Sequence, residues 1–149
     1  MKNYYINREG LVKFLSELNQ KVKCFIPQKT GKDDYTLVPY PCEAPKEIIF
    51  NEYRTIEPLK SYLSFAKEEV AAYFSGKEKQ PSVNPICLVG VKACDLFSLK
   101  IQDFVFEQGE VCDPLYDLRR RNTLIISSDC TGFKEVCYCL AWNILPYPA

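Results

Sequence analysis

The sequence predicts an α/β fold, with a small N-terminal helix–hairpin part followed by a βαβ unit of parallel strands; an α+β arrangement is the alternative. Three observations carry this. "ICLVGV", 86–91, is a continuous apolar run, the pattern of a strand covered on both faces, and "TLIISS", 123–128, reads as another buried strand. The residues between them place Leu96, Leu99 and Phe104 at helical spacing. A strand–helix–strand order needs a crossover, which makes the two strands parallel.

The elements follow in chain order. "NREGLVKFLSELNQ" sets Leu11, Phe14, Leu15 and Leu18 on one helical face, with Asn7 as its cap. "VKCFIP" alternates Val22, Cys24 and Ile26 with outward positions and reads as a strand. "QKTGKDD" supplies a turn and "YTLVPY" the returning strand of a hairpin. Pro39 and Pro41 put that strand at an edge. "EIIFNEY", 47–53, reads as a third short strand. "EPLKSYLSFAKEEVAAYFSG" reads as helical in parts, ending near Gly76. The polar loop "KEKQPSVNP" divides the chain, so that residues 1–80 and 85–149 form two halves of one domain. After "ICLVGV" and its helix, Gly109 is a stop. Asp113 and Pro114 then open a second short helix, "DPLYDLRRR". "TLIISS" follows as another buried strand.

Composition narrows the function classes. At 149 residues the chain suits one domain with a real hydrophobic core. Lys+Arg and Asp+Glu are both 19, so the formal charge is zero and no broad attraction to nucleic acid or anionic lipid follows. "RRR" at 119–121 is the lone basic run, read as the solvated end of a helix rather than a phosphate site. No apolar stretch reaches a bilayer-spanning length and the N-terminus has no signal-peptide core, so the expected location is cytoplasmic. Histidine is absent, which removes His-ligated zinc, Cys–His nucleophile pairs and His acid–base chemistry. No catalytic residue is assigned. Asp95 is read as a helix cap.

Eight cysteines in a reducing compartment point to metal or redox use rather than a disulfide framework. "SDCTGFKEVCYC" holds three, Cys130, Cys137 and Cys139, and Cys94 of "KACD" lies 36 residues before Cys130. In a parallel sheet Cys94 and Cys130 each follow a strand and therefore share its carboxyl edge, where such folds build sites. Cys137 and Cys139 sit on a loop able to return there. Cys94 near a helix N-terminus is expected to gain thiolate character, with Lys92 and Lys134 adding charge compensation. Four such thiols suit a [4Fe–4S] cluster or a Cys₄ zinc site, and no metal at all is the third reading. Cys24 and Cys87 read as small core hydrophobes; Cys42 and Cys112 read as loop thiols.

"GVKACDLFSLKIQDFVF", "DPLYDLRRRNTLIISSDCT" and "VCYC" resemble the family containing the β subunit of cytoplasmic sulfhydrogenases and the iron–sulfur subunit of anaerobic sulfite reductase. Its members read G-(V/L)-R-x-C-D-L, then D-P-x-Y-x-x-R-R, then an apolar strand, N-C and C-(F/Y)-C. "KCFIP" and "NEYRTIEPLKSYL" are similar to earlier segments, so the resemblance runs over nearly the whole chain. Lys92 stands where Arg is usual and Asp129 where Asn is common. The family's two-cluster ferredoxin module is not found in these residues. The resemblance implies an electron-transfer subunit without catalysis of its own, relaying electrons between flavin-containing and catalytic oxidoreductase subunits of hydrogenase or sulfite reductase type. It implies a [4Fe–4S] cluster held by Cys94, Cys130, Cys137 and Cys139. The alternative is a metal-free or zinc-bound docking module derived from that family.

Overall fold

A computed structural model describes residues 3–41, 50–65, 67 and 82–147. Their centre is one four-stranded mixed sheet, and the α/β reading holds. Helix α1 (Arg8–Asn19) starts where the Asn7 side chain accepts a hydrogen bond from the Gly10 N–H at 2.8 Å. Strands β1 (Lys23–Thr30) and β2 (Asp34–Pro39) form the expected antiparallel hairpin, longer than "VKCFIP" alone suggests. Gly31 makes its turn at φ +65°, a conformation glycine adopts without steric cost. A single helical turn, α2 (Lys60–Leu63), follows and stops at the extended Ser64. Most of the longer helix expected up to Gly76 lies outside the described residues, as does Cys42.

The second half forms the predicted crossover. Strand β3 (Ile86–Val91) leads into α3 (Ala93–Glu107), then α4 (Pro114–Arg121), then β4 (Thr123–Ser127). Strands β3 and β4 are parallel. Asp113 caps α4 through the N–H groups of Leu115 and Tyr116, with Pro114 in the first turn. The sheet order is β2-β1-β3-β4, and β1 also runs parallel to β3, with Cys24 opposite Cys87. The two halves of the chain therefore share one sheet.

Pleating sorts the core onto two faces. Leu88, Leu37, Leu99 and Tyr116 pack on the side of α2, α3 and α4. Cys24, Ile26, Cys87 and Val89 pack with Leu15 of α1. A bulge between Val89 and Val91 shifts the alternation by one, so Val91 rejoins the Leu88 face. Gly90 makes this possible at φ +80°, and a Cβ there would stand 2.5 Å from Asn51 Oδ1.

Four expectations are corrected. Residues 50–53 are not a strand. Their polar backbone groups are taken by loops instead: the Glu52 carbonyl accepts from the Thr131 and Gly132 N–H groups, and the Asn51 carbonyl accepts from Lys92. Residues 47–49 lie outside the described set. Strand β4 is not buried on both faces; among the described residues it is an outer strand, and Leu124 is 47% exposed. Asp95 is not the cap of α3. Lys92 holds that position, and Asp95, three residues on, receives a hydrogen bond from the Lys92 backbone. The "RRR" run does end a helix, but it is partnered rather than simply solvated. Arg119 donates to the Leu63 carbonyl, Arg120 pairs with Asp103 and Arg121 with Asp117.

Candidate metal centre

Parallel strands β3 and β4 end side by side, and the Ser128 N–H still donates to the Val91 carbonyl at 2.9 Å. Beyond this point the chain turns into α3 on one side and into the 128–139 loop on the other. Cys94 therefore lies in the first turn of α3, and Cys130 lies three residues past β4. Both line one cavity of about 320 Å³, together with Cys137 and Cys139. All four predicted site residues are thus brought to the same place. The irregular segment 53–56 also lines the cavity, and the strand expected over 47–53 reaches only its first residue, Tyr53. Exposure is graded across the cavity: Cys94 is buried, Cys130 and Cys139 are half-buried, and Cys137 is exposed.

The loop that carries three of these thiols is tied at several points. The Cys130 N–H donates to the Pro146 carbonyl at 2.8 Å. Gly132 passes so close to segment 50–57 that a Cβ would meet Glu52 Oε2 at 3.0 Å. Lys134 pairs with Asp34 on the hairpin at 2.6 Å, its ammonium 4.8 Å from the centre of the Tyr53 ring. A tight 3-10 turn, Leu140–Trp142, follows Cys139, whose carbonyl accepts from the Trp142 and Ile144 N–H groups. The Trp142 ring sits 6.0 Å from that of Phe97 on α3, which anchors the end of the loop.

Lys92 is the centre of the arrangement. It is 1% exposed. Its Nζ donates to the carbonyls of Asn51 and Asp129, each at 2.6 Å, and to Ser128 Oγ at 2.9 Å. One side chain thus joins the end of β3, the segment at residue 51 and the two residues before Cys130. Sequence reading assigned Lys92 a charge but not this reach. Lys134, its expected companion, is engaged by Asp34 and serves the thiols through its backbone, whose N–H points at Cys137 Sγ at 3.2 Å. Arg54 joins the site with no local signal in the sequence to mark it. It pairs with buried Asp95 at 3.4 Å beside Cys94.

The electrostatics overturn the expectation for Cys94. Burial, reinforced by Asp95 and Cys139, pushes its thiol up to about 12, and Arg54 offsets only part of this. Desolvation outweighs the helix N-terminus. Cys130 is raised too, by burial, with Lys92 pulling the other way. Empty, the buried thiols are protonated and poor nucleophiles; a metal would have to displace their protons.

The donor set is four soft thiols with an ammonium and a guanidinium nearby, which matches the chemistry of an anionic thiolate-bound centre. Among the described residues, no three His, Cys, Asp or Glu side chains gather closely enough for a single metal ion. A tetrahedral zinc draws its thiolates to about 3.8 Å of one another. The remaining described cysteines behave as structural or surface thiols. Cys24 and Cys87 are fully buried between the sheet and α1, and Cys112 is exposed, its thiol donating to the Glu107 carbonyl.

No helix among the described residues is long and apolar enough to cross a membrane. Compared with models of known protein families, with curated proteins and with solved structures, the chain matches none.

Proposed function

We propose that this chain is an iron–sulfur electron-transfer subunit that holds a [4Fe–4S] cluster on Cys94, Cys130, Cys137 and Cys139. The observation that carries the reading is the convergence of these four thiols on one cavity at the carboxyl edge of two parallel strands. The motif resemblance to the iron–sulfur subunits of sulfhydrogenases and anaerobic sulfite reductases adds to it. A bound cluster supplies a one-electron couple. The chain's own residues do the rest. Strands β3 and β4 fix Cys94 and Cys130, the turn at Leu140–Trp142 fixes Cys139, and the Lys134 backbone N–H bears on Cys137 sulfur and would tune the couple. No residue is assigned to bond-making chemistry. Val136 lines the site and is exposed, and Phe133, Leu140 and Trp142 on the same stretch of chain are exposed too, in keeping with a flavin-containing or catalytic partner covering this stretch.

The test is iron, acid-labile sulfide and zinc per chain on protein purified without oxygen. The reading expects about four iron and four sulfide, with a visible band that bleaches on reduction. Cys130→Ser should lose iron and colour. Zinc alone would make the site structural, and neither metal would leave a docking module; either result rejects the carrier.

A further inference from the structure

Lys92 carries its charge into the interior, and among the described residues no carboxylate is bonded to it. The three acceptors of its Nζ are two carbonyls and a hydroxyl, all neutral. A buried ammonium of this kind is costly unless an anion lies close by. The acidic neighbours do not fill that role by contact: Asp95 pairs with Arg54, and Asp129 meets Lys92 through its backbone carbonyl. Through space the ammonium is drawn by Asp129 and Asp95 and, once they are deprotonated, by Cys130 and Cys94. The same side chain is hydrogen-bonded to the two residues that precede Cys130, and it lies two positions before Cys94.

We propose that the Lys92 ammonium is the built-in counter-charge of the four-cysteine site and sets the redox potential of the cluster held there. The inference rests on the proposed iron–sulfur reading. Lys92 touches no ligand sulfur through a hydrogen bond; it acts through space and by positioning the Cys130 loop. Reduction adds one electron to an anionic centre, so a fixed positive charge beside it favours the reduced form. Removing that charge makes reduction harder and moves the midpoint down.

The experiment compares wild type, Lys92→Met and Lys92→Arg, purified without oxygen, by iron and sulfide content and by redox titration followed optically and by electron paramagnetic resonance. The titration reads the iron-loaded fraction of each protein, and a loaded fraction is expected in all three. Reduction of Lys92→Met should be about tenfold less favourable, a midpoint lower by about 59 mV for one electron. Lys92→Arg, which keeps the charge, should move by less than half of that. A loaded Lys92→Met with an unchanged midpoint overturns the proposal. Wild type without iron rejects the iron–sulfur reading itself, which the metal count shows before any titration. Should Lys92→Met not fold, Lys92→Gln provides the neutral comparison with one donor retained. If both neutral variants fail to fold as apoprotein by circular dichroism, Lys92 is a structural clamp and the counter-charge role is rejected.

Discussion

The backbone N–H of Lys134 points at Cys137 Sγ from 3.2 Å, while the side chain of the same lysine is held 2.6 Å from Asp34 on the β1–β2 hairpin. The most exposed thiol of the site is therefore positioned by a loop whose anchor is an ion pair on a different part of the fold. Lys134 Nζ and Asp34 are both accessible enough for this pair to add little to global stability. Its effect is local. Asp34→Asn should leave the thermal midpoint within about 1 °C of wild type and, on the proposed iron–sulfur reading, speed loss of iron in air severalfold. Equal bleaching rates for the two proteins would show that the hairpin does not hold the loop.

Thiol reactivity should follow burial and charge rather than sequence position. In the metal-free protein at pH 8, Cys112 and Cys137 should be alkylated first. Cys24, Cys87 and Cys94 should lag by at least about a hundredfold, since burial pushes the thiols of Cys87 and Cys94 up to about 12 and raises that of Cys24. Peptide mass spectrometry after timed iodoacetamide labelling reads this directly. Cys94 modified as fast as Cys112 would contradict the desolvated first turn of α3.

The same groups give the metal-free fold an alkaline limit. Cys87 and Cys94 keep their protons to higher pH in the folded state than their ordinary value of 9.0. Their contribution is complete below pH 9 and is lost as pH rises towards 12. Lys92, lowered by burial, contributes in the opposite sense and cancels part of the slope. The net expectation is a thermal midpoint that falls steadily between pH 9 and 12, measured by calorimetry under reducing conditions. A midpoint that is flat over this range would refute it.

Gly90 is the most exacting backbone position in β3. Gly90→Ala forces a side chain onto φ +80° and into Asn51 Oδ1 at 2.5 Å. The cost should be at least about 2 kcal/mol in urea unfolding, the scale of local strain at such sites. A loss below about 0.5 kcal/mol would mean that the bulge relaxes freely. Asn51 spends its side-chain amide on the carbonyls of Tyr53 and Gly90, so Asn51→Ala should destabilise the same junction.

What the sequence disclosed, and what it did not, divides along local and non-local lines. Apolar runs, a Pro–Asp cap and turn residues are local signals, and they placed β3, α4 and the hairpin. The gathering of Cys94 with Cys130 followed from the parallel crossover, because two strand ends in register share one edge. The cradle around Lys92 had no local signature. Its acceptors lie 36, 37 and 41 residues away, and two of them are backbone carbonyls that carry no residue identity. The exposure of β4 was equally hidden, since an apolar run does not say whether a further strand lies beside it. Segment 50–53 looked like a strand by composition, but its backbone partners are loops rather than a ladder. At Cys94 two physical effects compete; the helix terminus can be read from sequence, whereas the desolvation that outweighs it depends on packing.

The grading of the four thiols from buried Cys94 to exposed Cys137 gives the site a front and a back. Wear would then be uneven. On the proposed reading, an oxidant diffusing in from solvent reaches the Cys137 corner first, while α3 backs the Cys94 corner. A cluster eroding there would pass through a state with three cysteine ligands and one open iron. The working lifetime of the isolated chain in air would be governed by that single corner, and a partner seated over it would act as a shield as well as a redox neighbour.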